Sequence, residues 1–446
     1  MYRQIDEEII LKNLDKLETD AKTMYMSQYE PTIDEMNNVY EDIKKFIINK
    51  KRIVYGGYAQ NTLIKEKNKN DVFYKETDMA DIEFYSPDPV GDTIDLCDYL
   101  YTKKYNYIEG KEGVHSDTYK IFVNFNNYCD ISYMPPELFD KCPSLSAEGM
   151  RMAHPHFMLI DAYRVYNDPM TSYFRLRKTF TRFNTLMKYY PMDDKMAYNI
   201  TKFNINMNKK ENENILRFIR KHIIHNSKLI VIGNYGFNQL MKLAKAPDNY
   251  MIDTTYYTII SDDLDNDIQK IYKKLKQKYP RVNYKRYYPF FQFMDRSFEF
   301  YIGDTIILRL YGNNHRCTVY RYSEQKRTYF GSYQLLFMYN LIHYILGMMR
   351  NNEFNMNMYG CMLIRMMKMR DKFLDMNHIN VLDKSIFQEF TFQCIGTPTD
   401  MLRQSFLETI RKRKIGKHKF LYKPKEGSGN KPNFKFDNSS GELIIK

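Results

Sequence analysis

The chain has 446 residues, about three times a typical domain of ~150 residues, so two or three folded units are expected. Hydrophobic residues make up 43%, aromatics 15% and charged residues 27%, which excludes a wholly disordered, collagenous or disulfide-framework protein. Lys and Arg number 67 against 54 Asp and Glu, a formal +13 that favours an anionic partner over a merely solvated basic surface.

No run of about 18 apolar residues occurs, and the start MYRQIDEEII lacks the apolar core of a signal peptide. Neither membrane insertion nor secretion is expected, and the cytosol is the expected compartment. Cys97, Cys129, Cys142, Cys317, Cys361 and Cys394 are scattered without a C-x-x-C pair, which predicts reduced core thiols rather than disulfides or a zinc site.

Residues 2–50 carry apolar positions at helical spacing, first Ile9, Ile10, Leu14 and Leu17, then Met36, Val39, Ile43, Phe46 and Ile47, which predicts two amphipathic helices. Arg52 to Gly57 is a short strand running into a Gly-Gly turn, and Tyr58 to Lys65 resumes a helix. After a polar loop over Glu66 to Thr77, Ala80 to Tyr85 is a strand and Asp92 to Lys103 a helix. Lys120 to Phe125 and Tyr128 to Tyr133 form a hairpin about Asn126-Asn127, because asparagine tolerates the positive φ of a two-residue turn. From Pro135 to Met192 the pattern is helical, with a basic stretch at Arg175, Arg177, Lys178, Arg182 and Lys188. Residues Gln334 to Met376 are apolar and Met-rich at helical spacing, core rather than a cofactor box. Beyond Arg411 the chain is basic and then Gly/Ser/Asn-rich at Glu426 to Asn430, a tail or a loosely packed terminal hairpin.

An internal repeat organises these elements. Val54 to Lys65 aligns without a gap on Val231 to Lys242, repeating Val, Gly, Tyr, Asn, Leu and Lys in register. The same offset lays Ala80 to Tyr85 on Tyr257 to Asp262, and Asn126-Asn127 on Gly303-Asp304, a second good hairpin turn. Residues 52–135 and 229–312 therefore read as a duplicated αβ module.

Within a strand, side chains alternate faces, so Asp81 and Glu83 project from one face while Ile82 and Phe84 enter the core. Asp130 on the hairpin can join them from a neighbouring strand. Three crowded carboxylates repel unless a cation neutralises them, and an all-oxygen cluster suits Mg²⁺ or Mn²⁺. Two ions there would activate a hydroxyl and neutralise a leaving phosphate. The Gly56-Gly57 turn opening a helix offers close backbone approach and free N–H groups to a triphosphate. At the repeat's constant offset, Asp81 falls on Thr258, Glu83 on Ile260, Asp130 on Ile307 and Gly57 on Asn234, so the second copy keeps the fold signal and loses every carboxylate. The pairs His154 and His156, and His222 and His225, lack further ligands and read as ordinary histidines rather than a metal site.

Val54 to Tyr58, Asp81 to Glu83 and Asp130 resemble the hG[G/S]…Dh[D/E]h…D pattern of the polymerase-β-like nucleotidyltransferase superfamily. The tandem of an active and a degenerate module in a basic chain resembles the poly(A) polymerase catalytic subunits of poxviruses and mimivirus-type giant viruses. Two departures stand out: the interval from Gly57 to Asp81 is longer than common, and Glu83 stands where Asp is more usual. The resemblance implies a mixed αβ (α+β) fold of two tandem nucleotidyltransferase-like modules with flanking helices. It divides the chain into N-terminal helices (1–50), a catalytic module with following helices (51–200), a degenerate module with a helical segment (201–400) and a basic C-terminal segment (401–446).

The resemblance further implies template-independent transfer of AMP from ATP to an RNA 3′ end, making mRNA poly(A) tails with two Mg²⁺ or Mn²⁺ ions. Asp81 and Glu83 would hold both metals and Asp130 would complete the site; Gly56, Gly57 and Tyr58 would line the triphosphate, with Lys178 and Arg182 as phosphate contacts. Expected partners are the RNA 3′ end, ATP and a second copy of the chain as a homodimer, in the host cytoplasm or the virion. Basic clusters at Arg175 to Arg182, Lys273 to Lys278, Arg281 to Arg286 and Arg411 to Lys425, interleaved with Tyr284, Tyr287, Tyr288 and Tyr422, suggest an RNA track. Competing readings are a uridylyl or CCA-adding enzyme, a small-molecule nucleotidyltransferase, which need not be strongly basic, and a non-catalytic RNA-binding subunit, which need not keep three carboxylates.

Overall fold

The computed structural model describes residues 2–28, 32–74, 78–115, 117–198, 207–313, 316–398, 401–414, 419–424, 434–437 and 442–445. The Glu426 to Asn430 stretch lies outside them, as do parts of the 66–77 loop and of the 411–425 basic segment. Internal contacts divide the chain into two compact units: residues 1–139, 144–153 and 405–446 form the first, and 140–143 and 154–404 the second. The helices following Ala153 thus belong with the second unit, and the C-terminal segment joins the first from Ser405.

In the first unit, α1 (Gln4–Gln28) and α2 (Ile33–Asn49) are the two expected helices. Only α2 buries its stripe, Met36, Val39, Ile43, Phe46 and Ile47; Ile5, Ile9, Leu14 and Leu17 of α1 stay exposed. Then come β1 (Ile53–Tyr55), α3 (Gly56–Lys67), β2 (Ile82–Ser86), α4 (Pro89–Thr102), β3 (Glu109–Glu112), β4 (Thr118–Val123), β5 (Asn126–Tyr133), α5 (Pro136–Lys141), β6 (Ser144–Ala147) and β7 (Met150–Ala153). The sheet runs in the order Leu421–Tyr422, β3, β4, β5, β2, β1, β7, β6. Ile53, Val54, Ile82, Phe84, Cys129, Ile131 and Met152 are fully buried, each apolar side chain contributing about 1.5–3 kcal/mol.

Two expectations are corrected here. The hairpin turn is Asn124-Phe125, both at positive φ (45° and 66°), rather than Asn126-Asn127, which begin β5. A register shift between Ile121 and Phe122 adds a bulge next to it. Residues 144–153, read as helix, form the β6–β7 hairpin, with Glu148 and Gly149 in the turn at positive φ, and β7 pairs parallel with β1. Strands of four residues satisfy a helical pattern as well as an alternating one.

The second unit contains α6 (Pro155–Tyr166), α7 (Pro169–Ser172), α8 (Leu176–Tyr189), α9 (Lys209–Ile219), β8 (Ile230–Ile232), α10 (Gly233–Leu243), β9 (Tyr257–Ser261), α11 (Leu264–Lys278) and β10 (Val282–Tyr287). They are followed by β11 (Ser297–Ile302), β12 (Thr305–Gly312), β13 (Thr318–Ser323), β14 (Thr328–Gly331), α12 (Tyr333–Met349), α13 (Glu353–Asn377) and β15 (Cys394–Ile395). Its sheet order, β10, β11, β12, β9, β8, β14, β13, β15, repeats that of the first unit strand for strand from β3 to β6. β11 and β12 turn at Gly303-Asp304 as expected, with a register shift between Phe300 and Tyr301 matching the bulge of the first hairpin. In both units the serine ending the second strand accepts an N–H two residues on (Asp88, Asp263; both 3.0 Å) and donates to a helix aspartate (Asp92, 2.5 Å; Asp267, 2.6 Å).

Cys317 and Cys394 are disulfide-bonded, Cα atoms 5.2 Å apart, whereas Cys97, Cys129, Cys142 and Cys361 are free and buried. The expectation of six reduced thiols fails because antiparallel pairing of β13 with β15, a contact across 77 residues, brings these two together. Among the described residues no helix is long and apolar enough to cross a membrane.

Candidate active site

The site is built where β1 ends and α3 begins. Gly56, at φ +70°, makes the reversal that few L-residues adopt. A Cβ there would stand 1.7 Å from Glu83 Oε2, so only glycine leaves room for that carboxylate. Glu83 sits opposite Tyr55 on β1, and its Oε2 accepts the Gly57 N–H at 3.0 Å. Glu83 pairs in register with Asp130 on parallel β5, and Asp81 precedes β2 on the Glu83 face. The backbone therefore aims three carboxylates from one sheet face, as the alternation predicts.

Two of the three side chains are already engaged, Glu83 by the Gly57 N–H and Asp130 by its neighbours in the hairpin. Lys120 of β4, in register with Asp130, places its ammonium 2.8 Å from Asp130 Oδ1 and 2.6 Å from Oδ2, and Asn127 Nδ2 donates to Oδ1 at 3.1 Å. Among the described residues no three His, Cys, Asp or Glu groups are gathered for one metal ion. The donor chemistry, three carboxylates on adjacent strands, fits a hard divalent cation once Asp130 and Glu83 turn from their present partners. Lys120, the partner of Asp130, is a residue the sequence reading did not single out; the signal lay in the hairpin register, hidden by the displaced turn and the bulge.

The remaining candidates are dispersed. The Tyr58 hydroxyl donates to Glu148 Oε2 at 2.8 Å, in the β6–β7 turn, and its ring lies beneath Lys44. Lys178 and Arg182 lie on α8 in the second unit. His156, buried, hydrogen-bonds the Tyr190 carbonyl through Nε2 at 3.0 Å and gives its backbone N–H to His154 Nδ1. Burial pushes His154 down to about 4 and His156 below the usual histidine range. In this structure His154 caps α6 and His156 packs against the Tyr190 carbonyl.

The repeat's register can now be read from the sheets. Ile232 pairs with Thr258 as Tyr55 pairs with Glu83, and Arg309 pairs with Thr258 as Asp130 pairs with Glu83. Tyr256, Thr258 and Arg309 thus occupy the positions of Asp81, Glu83 and Asp130, not Thr258, Ile260 and Ile307 as the constant offset places them. The connection before β9 is shorter than that before β2 and the next is longer, so an ungapped shift slips. The absence of carboxylates from these positions stands.

The poly(A) polymerase catalytic subunit family matches residues 41–172, and a family described as "APMV, Putative poly(A) polymerase, catalytic subunit, C-terminal" matches residues 184–446. A putative poly(A) polymerase catalytic subunit of Acanthamoeba polyphaga mimivirus is 30% identical over 461 residues, covering 95% of this chain and 78% of the relative. One of African swine fever virus (isolate Tick/Malawi/Lil 20-1/1983) is 31% identical over 164 residues, 35% of this chain and 34% of its own. The crystal structure of the Megavirus polyadenylate synthase superposes with a TM-score of 0.91 at 31% identity, covering all of this chain and 93% of the other.

Proposed function

Because the chain belongs to the poly(A) polymerase catalytic subunit family and is a polynucleotide adenylyltransferase, we propose that it builds mRNA poly(A) tails from ATP by a two-metal mechanism at Asp81, Glu83 and Asp130. The observation that carries this reading is the register that sets Glu83 beside Asp130, with Asp81 on the same face, in the unit containing most of the stretch matched by the catalytic family.

In this reading Asp81 and Glu83 would hold both Mg²⁺ or Mn²⁺ ions and Asp130 would complete the site beside the RNA 3′-hydroxyl. Bound there, the ions make the hydroxyl a better nucleophile and neutralise charge on the departing pyrophosphate. The 3′-oxygen forms a bond to the α-phosphorus of ATP while the bond from that phosphorus to the oxygen bridging to the β-phosphorus breaks, its electron pair leaving with pyrophosphate; the hydroxyl proton passes to water. Gly56 and Gly57 would bring the backbone and the N-terminus of α3 close to the triphosphate once Glu83 turns from the Gly57 N–H. Tyr58 stands at the same helix start.

With no template, product retention rests on phosphate contacts and base stacking. The surface of β10 suits this role: Lys285 and Arg286 are exposed beside Tyr284, Tyr287 and Tyr288, the last 88% exposed. A homodimer working in the host cytoplasm or the virion completes the reading. Incubation with a short labelled RNA, Mg²⁺ or Mn²⁺ and each NTP separately tests it. ATP-specific, metal-dependent lengthening is expected; extension by UTP alone, or none, overturns it.

A further inference from the structure

Both oxygens of Asp130 are taken by one ammonium, 2.8 and 2.6 Å away, and Oδ1 also accepts from Asn127. A divalent cation at Asp130 needs the same lone pairs, so it must displace Lys120 from at least one oxygen. The contact is built in: Lys120 and Asp130 are register partners on the strand side of the bulge, and only 30% and 14% of their side chains are exposed. The equivalent register pair of the second unit, Glu299 and Arg309, is also an ion pair at 2.6 Å, with the charges exchanged between the strands. This sheet position is therefore neutralised across the strands in both copies. In the first unit the need is plain, because Asp130 lies in register with Glu83, and two adjacent carboxylates with no cation repel.

We propose that Lys120 is a positioning residue that holds Asp130 as a placeholder cation and yields its oxygens to the divalent ion, making metal entry an exchange of cations at Asp130. The inference rests on the two-metal reading above. It explains why three carboxylates aimed from one face are not gathered around a common point.

The test is Mn²⁺ binding to the full chain, measured from the electron paramagnetic resonance of free Mn²⁺ at fixed ionic strength. Lys120→Met should bind Mn²⁺ about ten-fold more tightly, the scale of a neighbouring-residue effect on a metal site. Lys120→Arg should bind it more weakly than wild type, because the guanidinium fork grips a carboxylate bidentately. The same two changes should move the Mn²⁺ concentration for half-maximal extension in these opposite directions while leaving the KM for ATP alone. Lys111→Met is the control. It removes an equal charge from the neighbouring strand, where the ammonium stands 3.8 Å from the centre of the Phe122 ring instead of on Asp130, and it should leave Mn²⁺ affinity within two-fold. Equal tightening by Lys120→Met and Lys111→Met, or no tightening by the former, overturns the placeholder role and leaves the metal reading intact. Wild-type Mn²⁺ binding unchanged by Asp130→Asn, or absent altogether, overturns both.

Discussion

The two sheets of this chain are the same construction finished in opposite ways. In the first, the three positions at the strand ends are Asp81, Glu83 and Asp130, with Lys120 across from Asp130. In the second they are Tyr256, Thr258 and Arg309, with Glu299 across from Arg309. Arg309 lies over the Tyr256 ring, 5.2 Å from its centre, and Glu299 accepts from Tyr301 as well as Arg309. Burial opposes ionisation of Glu299, but Arg309 and the two tyrosine hydroxyls outweigh it and hold that carboxyl below the ordinary range. Both copies pair the two charges across the strands, but in the second the cation itself stands where Asp130 stands in the first, so no carboxylate is left beside Thr258.

The contrast predicts opposite consequences for matching mutations. Asp81→Ala or Asp130→Ala should reduce extension at least about a thousand-fold, the scale of losing a transition-state electrostatic group, with the melting transition nearly unchanged for Asp81→Ala and lowered for Asp130→Ala, which strands Lys120. A primer-extension gel and a thermal melt check both halves. Extension by either variant at near wild-type rate would remove the catalytic assignment. Arg309→Met should do the reverse, sparing the rate of the first addition and costing about 3 kcal/mol of stability, because Glu299 is left buried and unpaired. At the size of this unit that is roughly 6–12 °C in melting temperature. Glu299→Gln in the same chain should recover most of the loss, as neutralising both partners removes the stranded charge.

The strand-end glycines sharpen the comparison at smaller scale. Gly56 and Gly233 both sit at positive φ, +70° and +62°, and a Cβ at either would strike the side chain of the facing strand. Gly56→Ala and Gly233→Ala should therefore each cost about 1–3 kcal/mol of backbone strain. They should part in function. At Gly56 the obstruction is Glu83 Oε2, so extension should fall about 10–100-fold; at Gly233 it is Thr258 Oγ1, 2.8 Å away, and the first addition should be unaffected. Equal activities in the two alanine variants would show that the Glu83 position does not matter.

What was legible in the sequence follows the range of the interactions involved. The Gly-Tyr-Asn-Leu-Lys repeat and the Asp81/Glu83 alternation are local patterns, and both modules and the shared carboxylate face were readable from them. Lys120 was not, because its partner is set by a turn and a bulge; with the turn at Asn126-Asn127 and no bulge, Asp130 falls opposite Val123. The same two-residue sensitivity displaced Tyr256, Thr258 and Arg309 in the repeat alignment. The Cys317–Cys394 bond and the parallel pairing of β7 with β1 depend on contacts between distant segments, which no window of the sequence contains. The β6–β7 hairpin failed for a different reason, since four-residue strands carry too few alternations to separate them from a helix turn.

The smallest expected effect concerns the outer strands. In the first sheet β3 is covered by Leu421–Tyr422, and its acids are neutralised from the C-terminal segment, Glu109 by Lys423 at 2.5 Å and Glu112 by Lys412 at 3.5 Å. The matching strand of the second sheet, β10, is the edge strand among the described residues and bears Lys285 and Arg286 with exposed tyrosines. Two causes put cations on an edge strand: guarding it against pairing with another chain, and holding phosphates. They separate under Lys285→Gln with Arg286→Gln. Phosphate binding predicts that RNA affinity falls a few-fold at 50 mM salt, that the log–log slope of its salt dependence shrinks by about 0.7 for each phosphate no longer neutralised, and that tails shorten while the first addition proceeds normally. Tyr288→Ala should weaken binding by a comparable or larger factor without altering that slope, since stacking carries no counterion release. Edge guarding predicts instead concentration-dependent aggregation with RNA binding and tail length intact, and that result would return β10 to the role its covered counterpart plays in the first sheet.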